Sequence, residues 1–282
     1  MKADFIDGDL RGPKADGQWA EYNESRRLIG TRAFDDKVQQ THDRLAALGG
    51  KKYIIAWSGG KDSQVLKHIA QDHACAGPAF VVSNDLEFPS VNRFFARHLD
   101  ARYILRLPYN WKFLMSRPMM LWSDDETLAY IRRQKWAMQD RCATQLRAYG
   151  IMFGRRSRDS KRLSADGRKG VGGGNFTGNA EGVYKTKNSD IWRCNPLHDW
   201  SNAEVYAYIH QHNLELYPPY YYGPNRIGLV KATTEGWFQW VGKSEARPPI
   251  NAWRILRDWC DPQLVEDAAQ YFPLARRAIS EI

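Results

Sequence analysis

A short apolar run that ends in two glycines, a lysine and an aspartate is the feature that most constrains how this chain can fold. Residues 51–70 read KKYIIAWSGGKDSQVLKHIA, in which a strand-like run meets SGGKDS and then turns helical. Adjacent glycines allow backbone N–H groups to point into one concavity, and the following helix adds its N-terminal donors and the positive end of its dipole. Ser58, Lys61 and Ser63 add hydroxyl and ammonium donors. The motif therefore predicts a cradle for a pyrophosphate group.

The same motif has plainer interpretations, which stay open at this point. A Gly-Gly pair after a strand can be a tight turn, and a Lys-Asp pair can be a helix start. A Walker A loop is excluded, because GxxxxGK[ST] is absent and only two residues separate Ser58 from Lys61. Asp62 is an acid in an anion site, which is explained if a Mg²⁺ ion bridges its carboxylate to phosphate oxygens. We therefore predict Asp62 as a metal ligand.

Apolar runs alternate with helical segments through the first half of the chain. The strand-like runs are YIIAW, AFVVS and RYILRL, and the helical segments between them cover about 62–72 and 90–98. This alternation favours a parallel sheet with right-handed crossovers. We predict an α/β fold with a doubly wound, mostly parallel, Rossmann-like sheet, in which ligands bind at the carboxyl ends of the strands.

The second half of the chain begins with a helical segment that leads into the strand-like run IMFG. Residues 164–190 then contain seven glycines and few apolar side chains, so we predict a mobile loop there, ordered by ligand. Ser201, with Glu204 three residues later, has the spacing of a capping box and predicts the start of a helix. Residues 251–282 are predicted to form two short helices broken near Pro262.

Positive charge is concentrated in one part of the sequence. The formal net charge is +9, and residues 141–169 hold nine basic and two acidic side chains, which is +7 of it. A block of this kind attracts phosphates or other anions, although a solvated basic face is the alternative. Aromatic and basic residues are interleaved in WRCNPLHDW, YPPYYYGPNR and GWFQWVGK, which suits stacking on unpaired bases or ordinary packing. We therefore expect a nucleic-acid partner, DNA or tRNA, at 141–169.

The four cysteines and the apolar runs narrow the class of protein. Cys75, Cys142, Cys194 and Cys260 stand far apart and match no CxxC metal or redox signature, which favours buried thiols over a cluster assembled in space. The apolar runs are too short to span a membrane, and the first residues lack the pattern of a signal peptide. We therefore expect a cytoplasmic protein with no membrane partner.

Three further motifs follow SGGKDS along the chain. They are VVSNDLEFP, FGRRSRDSKR and NPLHDWSNAEVYAYIHQHNLELYPPYYYG, and the set spans residues 51–223. The ordered set resembles the PP-loop ATP pyrophosphatases, or adenine nucleotide alpha hydrolase-like superfamily, and within them the phosphoadenosine phosphosulfate (PAPS) reductase-like branch. The resemblance implies a PP-loop domain over 49–230, with helical extensions over 1–48 and 231–282.

The resemblance also implies the ligands and the residues that hold them. An adenine nucleotide, ATP with Mg²⁺, would lie across the carboxyl edge of the sheet, with its phosphates on the loop and its adenosine near the end of the second strand. The implied catalytic residues are Lys61, Asp62, Arg155 and Arg156. The implied nucleotide-binding residues are Ser58, Gly59, Gly60, Lys61, Asp62, Ser63, Ser83, Asp85 and Arg162. Asp199 and Trp200 are expected to cap and pack the following helix rather than to contact substrate.

One departure from the branch bears on the reaction. The sulfonucleotide reductases end in a tail with a Glu-Cys-Gly sequence, whereas this chain ends in LARRAISEI. The paired cysteines of the iron–sulfur reductases are missing too, so an iron–sulfur cluster is not expected. A nucleophilic thiolate needs an accessible, positively charged site, and only Cys142, beside Arg141, offers a local sign of one.

These features favour an enzyme that cleaves ATP between its α and β phosphorus atoms and activates a substrate by adenylylation. The basic segment favours sulfur transfer to nucleic acid, of the DNA phosphorothioation type, with a sulfur-donor protein such as a cysteine desulfurase as a partner. Three alternatives stay open: flavin mononucleotide (FMN) adenylyl transfer, a sulfonucleotide reductase using Cys142 or Cys260, and a nucleotide-sensing regulator without turnover.

Overall fold

The fold is built around one six-stranded sheet. The computed structural model describes residues 20–84, 89–107, 125–156, 182–186, 189–216, 257, 262–270 and 273–280. The strands are β1 Tyr53–Ala56, β2 Ala76–Asn84, β3 Ile104–Leu107, β4 Gly150–Phe153, β5 Val183–Lys185 and β6 Trp192–Cys194. The α-helices are α1 Arg32–Ala47, α2 Lys61–Ala70, α3 Pro89–His98, α4 Asp125–Gln145, α5 Asn202–Gln211, α6 Pro262–Ala269 and α7 Pro273–Ser280.

The strand order confirms the predicted fold class. The order is β3-β2-β1-β4-β6-β5, and every neighbouring pair is parallel except β5 with β6. The chain therefore has a doubly wound, mostly parallel α/β sheet of the Rossmann-like type. The order reverses direction between β1 and β4, and such a switch point opens a crevice at the carboxyl ends of the strands.

Strand β1 is central and buried on both faces. Tyr53, Ile54 and Ile55 are at most 2% exposed, as expected for a parallel strand covered by helices on both sides. β1 is in register with β4, and its last residue, Ala56, pairs with Phe153. The loop that follows β1 therefore lies beside the end of β4.

Strand β5 corrects the prediction of a loop over 164–190. Val183–Lys185 pairs antiparallel with β6, and Tyr184 in its centre is buried. The pairing continues where the Asn195 N–H donates to the Gly182 carbonyl over 3.1 Å. Because glycines dominate the composition of the segment, composition alone does not indicate the short strand near its end. Residues 164–181 and 187–188 lie outside the described residues.

Near the end of the chain, α6 begins at Pro262, the position at which a break was predicted, and α7 begins at Pro273. The helix predicted before Pro262 falls almost entirely outside the described residues. Proline suits the first turn of a helix, because the N–H that it lacks has no partner there. Among the described residues, none of the helices has the length and apolar character needed to cross a membrane.

Asp199 and Trp200 fasten α1 to the start of α5. Arg44 donates from Nη1 and Nη2 to the two Asp199 carboxylate oxygens over 2.7 Å each, and Lys37 Nζ donates to Oδ2 over 2.9 Å. Trp200 is fully buried, and its Nε1 donates to the Thr41 hydroxyl over 2.9 Å. Trp200 therefore packs on α5, where it also contacts the Tyr208 ring, as the sequence predicted. Asp199 does not cap α5, whose N-cap is Ser201, and instead pairs with side chains of α1.

Replacing Asp199 with asparagine is expected to lower the free energy of unfolding by about 2 kcal/mol at neutral pH, because hydrogen bonds to charged partners are lost. Burial raises the pKa of Asp199, but the hydrogen bonds and charges of Arg44 and Lys37 outweigh it and hold that pKa well below its ordinary value. The unfolded pKa is about 3.9. The stabilisation is therefore fully present above that pH and is lost as the pH falls towards the lower folded pKa.

Urea unfolding of both proteins from neutral pH down to about pH 3 checks this expectation. The difference in stability between wild type and variant should shrink as the pH falls below about 4. A difference that is the same at every pH would mean that the Asp199 charge does not contribute.

Candidate functional site

The loop between β1 and α2 has the geometry that its glycines predicted. Gly59 has φ +77°, in the left-handed region that favours glycine, and Gly60 is the N-cap of α2. Ser63 in the first turn closes the loop, because its hydroxyl donates to the Gly60 carbonyl over 2.8 Å and accepts from the Ser58 N–H over 3.2 Å. The loop therefore presents the N-terminus of α2 at the carboxyl edge of the sheet.

A cavity of about 280 Å³ opens where this loop meets the ends of β1, β2 and β4. Its position at the switch point between β1 and β4 is the one expected for a ligand site in a sheet of this order. Apolar residues from the strand ends and polar residues from the loop line it together. The described lining residues are Ala56, Trp57, Ser58, Gly60, Asp62, Ser63, Phe80, Val81, Val82, Lys135, Gln139, Phe153, Gly154 and Arg155.

Two cationic side chains face the loop across the cavity. Arg155 follows β4, and its guanidinium carbon lies 4.7 Å from the centre of the Phe153 ring, which holds the side chain at the cavity wall. Lys135 enters from α4. Together with the N-terminus of α2, these groups make the cavity attractive to an anion with several negative charges.

Asp62 joins two buried cations at the cavity wall. Lys61 Nζ lies 2.9 Å from Asp62 Oδ2, and Arg156 Nε lies 2.8 Å from Oδ1 without hydrogen-bond alignment. The side chains of Lys61 and Arg156 are only 2% and 4% exposed, and neither is among the residues lining the cavity. Lys61 Nζ also lies 5.9 Å from the centre of the Tyr206 ring. These cations therefore contact the carboxylate rather than the open cavity.

The structure places most of the predicted site residues at or next to this cavity. Ser83 is buried near the end of β2, directly after the lining residue Val82. Asp85 and Arg162 lie outside the described residues. The predicted residues that line the cavity are Ser58, Gly60, Asp62, Ser63 and Arg155.

Sequence reasoning missed the contribution of α4. Lys135 and Gln139 lie one helical turn apart and face the cavity from that helix. The segment was predicted to be helical, but no motif marks these two positions. They can be found only after the crossover between β3 and β4 places the helix against the sheet.

The residues present do not form a dedicated site for a resident Mg²⁺ ion. Asp62 is the only carboxylate among the described residues that line the cavity, and each of its oxygens already lies within 2.9 Å of a cationic nitrogen. Mg²⁺ is usually held by one or two carboxylates together with substrate phosphates. The ion therefore enters our account only as part of a MgATP substrate, and Asp62 as a metal ligand stays a prediction.

The described cysteines are buried away from solvent. Cys75, Cys142 and Cys194 are thiols that form no disulfide, and each is at most 5% exposed. Burial raises the pKa of the Cys142 thiol, and likewise that of Cys75, which opposes thiolate formation. Cys260 lies outside the described residues. In the described part of the chain, no three His, Cys, Asp or Glu side chains are grouped so that they could hold a metal ion.

Replacing Cys142 with alanine is expected to leave any nucleotide turnover unchanged, because a buried thiol with a raised pKa is a poor nucleophile. The measurement is the rate of AMP formation by both proteins at a temperature where circular dichroism shows each to be folded. Loss of turnover in a folded Cys142→Ala variant would instead support a thiol-based, reductase-type mechanism.

Comparison with known proteins assigns the family. The model of the phosphoadenosine phosphosulfate reductase domain matches residues 52–235, so the chain belongs to that family, a branch of the PP-loop ATP pyrophosphatase superfamily. The proteins of this family are enzymes of the PP-loop type. No curated protein matches the chain.

Solved structures show likeness at low identity. The PAPS reductase from Candida auris is 17% identical, with 67% of this chain and 89% of that chain covered and a TM-score of 0.41. The FMN adenylyltransferase from Candida glabrata, with FAD and inorganic pyrophosphate, is 13% identical, with 72% and 67% covered and a TM-score of 0.41. The U34-tRNA thiolase from Methanococcus maripaludis, with its [4Fe-4S] cluster, is 12% identical, with 88% and 80% covered and a TM-score of 0.38. Likenesses at this level carry no argument about the reaction.

Proposed function

We propose that this protein cleaves ATP between the α and β phosphorus atoms to adenylylate a substrate, which is then attacked by a sulfur nucleophile. An oxygen of the substrate forms a bond to the α-phosphorus, and the bond from that phosphorus to the bridging α–β oxygen breaks. Inorganic pyrophosphate leaves with the electron pair. In the second step the sulfur nucleophile bonds to the activated atom of the substrate, and AMP leaves.

The observation that supports this proposal is the arrangement of the cavity. The SGGKDS loop and the N-terminus of α2 form one wall, while Arg155 and Lys135 lie on others. A pyrophosphate group carries negative charge that such a set of donors can bind from two sides. The apolar ends of β1 and β2 complete the site, with Phe80 and Val82 available to contact an adenine ring.

The residues of the cavity would act mainly by stabilising charge and by positioning. Backbone N–H groups of the loop, the hydroxyls of Ser58 and Ser63, and the cations of Arg155 and Lys135 would stabilise the leaving pyrophosphate. Lys61 would orient the Asp62 carboxylate at the cavity wall, in the contact that the structure shows. The magnesium ion of MgATP would supply further neutralisation of phosphate charge.

The proposed substrate class is a nucleic acid. Residues 141–169 carry a net charge of +7, which suits a polyanion, and phosphorothioation-type modification of DNA is the member of the class that we propose. A sulfur-donor protein such as a cysteine desulfurase would supply the sulfur. Transfer of AMP to FMN is the competing reaction, which the experiment must distinguish from adenylylation of a nucleic acid.

The experiment is thin-layer analysis of α-labelled ATP after incubation with Mg²⁺ and the protein, alone and with DNA, tRNA or FMN. We expect labelled AMP or an adenylylated product, stimulated by nucleic acid. Arg155→Ala should abolish it without unfolding the protein, because Arg155 is partly exposed. Stimulation by FMN alone would favour flavin adenylyl transfer. If ATP stays unchanged under every condition, including the addition of a cysteine desulfurase and cysteine, the result would favour a regulator without turnover.

A further inference from the structure

An exposed tryptophan lies on the helix that supplies Lys135 to the cavity. Trp136 on α4 is 50% exposed, and the only other large apolar side chain that is exposed among the described residues is Ile29, at 37%. Ala143 lies two turns after Trp136 on the same face of α4 and is fully buried, so this face of the helix passes from the core into water at Trp136. An indole left in water next to a cavity is therefore a candidate contact for a ligand.

The topology places Trp136 beside Lys135, which lines the cavity. α4 connects the parallel strands β3 and β4, so it runs back along the sheet, and its earlier turns lie nearer the carboxyl edge. Asp140, one turn later than Trp136 on the same face, pairs with Arg193. The Arg193 guanidinium in turn lies 5.7 Å from the centre of the Phe153 ring, and Phe153 lines the cavity.

Cationic side chains stand close to Trp136 along α4. Arg133 lies three residues before Trp136, on the same face of α4, and is exposed. Lys135, the residue before Trp136, lines the cavity together with Arg155. An aromatic platform flanked by cations has the chemistry of a site for an unpaired nucleotide, because the base stacks on the ring while the neighbouring phosphates contact the cations.

We propose that Trp136 stacks on an unpaired base of a polynucleotide, and that Arg133 and Lys135 bind the phosphates beside that base. The inference rests on the proposed function and deepens it, since it assigns the acceptor as single-stranded or locally opened nucleic acid rather than intact duplex. The stacked base would hold the adjoining backbone at the mouth of the cavity, where the α-phosphorus of ATP would be attacked.

The test uses the full chain and an oligothymidylate that carries one 2-aminopurine, whose fluorescence is quenched when the base stacks. Binding and quenching are measured without ATP, so that the result does not depend on turnover. Alanine substitution of a stacking aromatic weakens single-strand binding by about 5- to 150-fold, and we expect a loss in this range for Trp136→Ala. Trp136→Phe should retain most of the affinity and the quenching.

Gln134→Ala is the matched control. Gln134 is exposed on α4 and, at about 100° per residue, faces away from Trp136. The Gln134→Ala variant should bind the oligonucleotide as the wild type does. The wild type should bind a duplex of the same length more weakly than it binds the single strand. The proposal is overturned if the wild type does not bind the oligonucleotide, or if Trp136→Ala binds it as tightly as the wild type does. The labelled-ATP experiment with wild type reports separately whether α–β cleavage itself fails.

Discussion

Replacing Gly154 with alanine is expected to displace the loop of the candidate site. A Cβ at position 154 would lie 2.7 Å from the Asp62 carbonyl carbon and 2.9 Å from the Ser63 backbone nitrogen. Both atoms belong to the first turn of α2, which cannot yield as a flexible side chain does. The N-terminus of the helix must therefore shift away from β4. We expect a loss of about 1–3 kcal/mol of stability from overpacking.

The effect on the proposed reaction should be larger than the effect on stability. A misplacement of about 1 Å at a reacting site can reduce the rate about 100-fold, and the shifted turn carries the loop that would bind the pyrophosphate. Gly50→Ala is the control, since a Cβ there meets nothing within 4 Å. Urea unfolding and the rate of AMP formation are measured for both variants. If Gly154→Ala has the stability and the rate of AMP formation of the wild type, the close approach of α2 to the end of β4 is not required for either.

Replacing Asp62 with asparagine is expected to give the largest loss of stability among the variants of the site. The carboxylate contacts two cations, Lys61 and Arg156, that are almost completely buried. Removing one partner of a buried ion pair costs about 3–5 kcal/mol. Because the Asp62 side chain is itself 22% exposed, we expect a value near the lower end of that range.

Asp36→Asn is the matched control for this charge removal. Asp36 also pairs with an arginine, Arg32, but the two side chains are 61% and 95% exposed, and a surface pair of this kind contributes about 0–1 kcal/mol. Chemical denaturation of both variants at neutral pH gives the comparison. Equal small losses in Asp62→Asn and Asp36→Asn would mean that the buried cations are satisfied without Asp62.

Local signals in the sequence predicted the backbone of the site well. The strand before the loop was predicted over YIIAW and is observed over Tyr53–Ala56, and the helix predicted from about residue 62 begins at Lys61. The capping box is confirmed, because the Ser201 hydroxyl accepts from the Glu204 N–H and the Glu204 carboxylate accepts from the Ser201 N–H. These features depend on neighbours within four residues, which a sequence displays directly.

Features that depend on distant contacts were not predictable in the same way. The role of Lys61 in a phosphate cradle stays a prediction, and the motif alone did not indicate that its side chain contacts Asp62 and lies near the Tyr206 ring of α5. The need for Gly154 arises from the close approach of α2 to the end of β4. Strand β5 depends on pairing with β6 rather than on its own composition. Each of these requires the topology of the sheet before it can be argued.

The most direct test of the account is the binding of α,β-methylene ATP with Mg²⁺, measured by titration calorimetry. This analogue cannot be cleaved between its α and β phosphorus atoms, so binding is measured apart from chemistry. We predict one site on the wild type and an affinity that is about 10- to 150-fold lower in Arg155→Ala, the loss expected for a charged hydrogen bond. Gln134→Ala should bind as the wild type does. An equal affinity in Arg155→Ala, or no binding to the wild type, would contradict the assignment of the cavity as the nucleotide site.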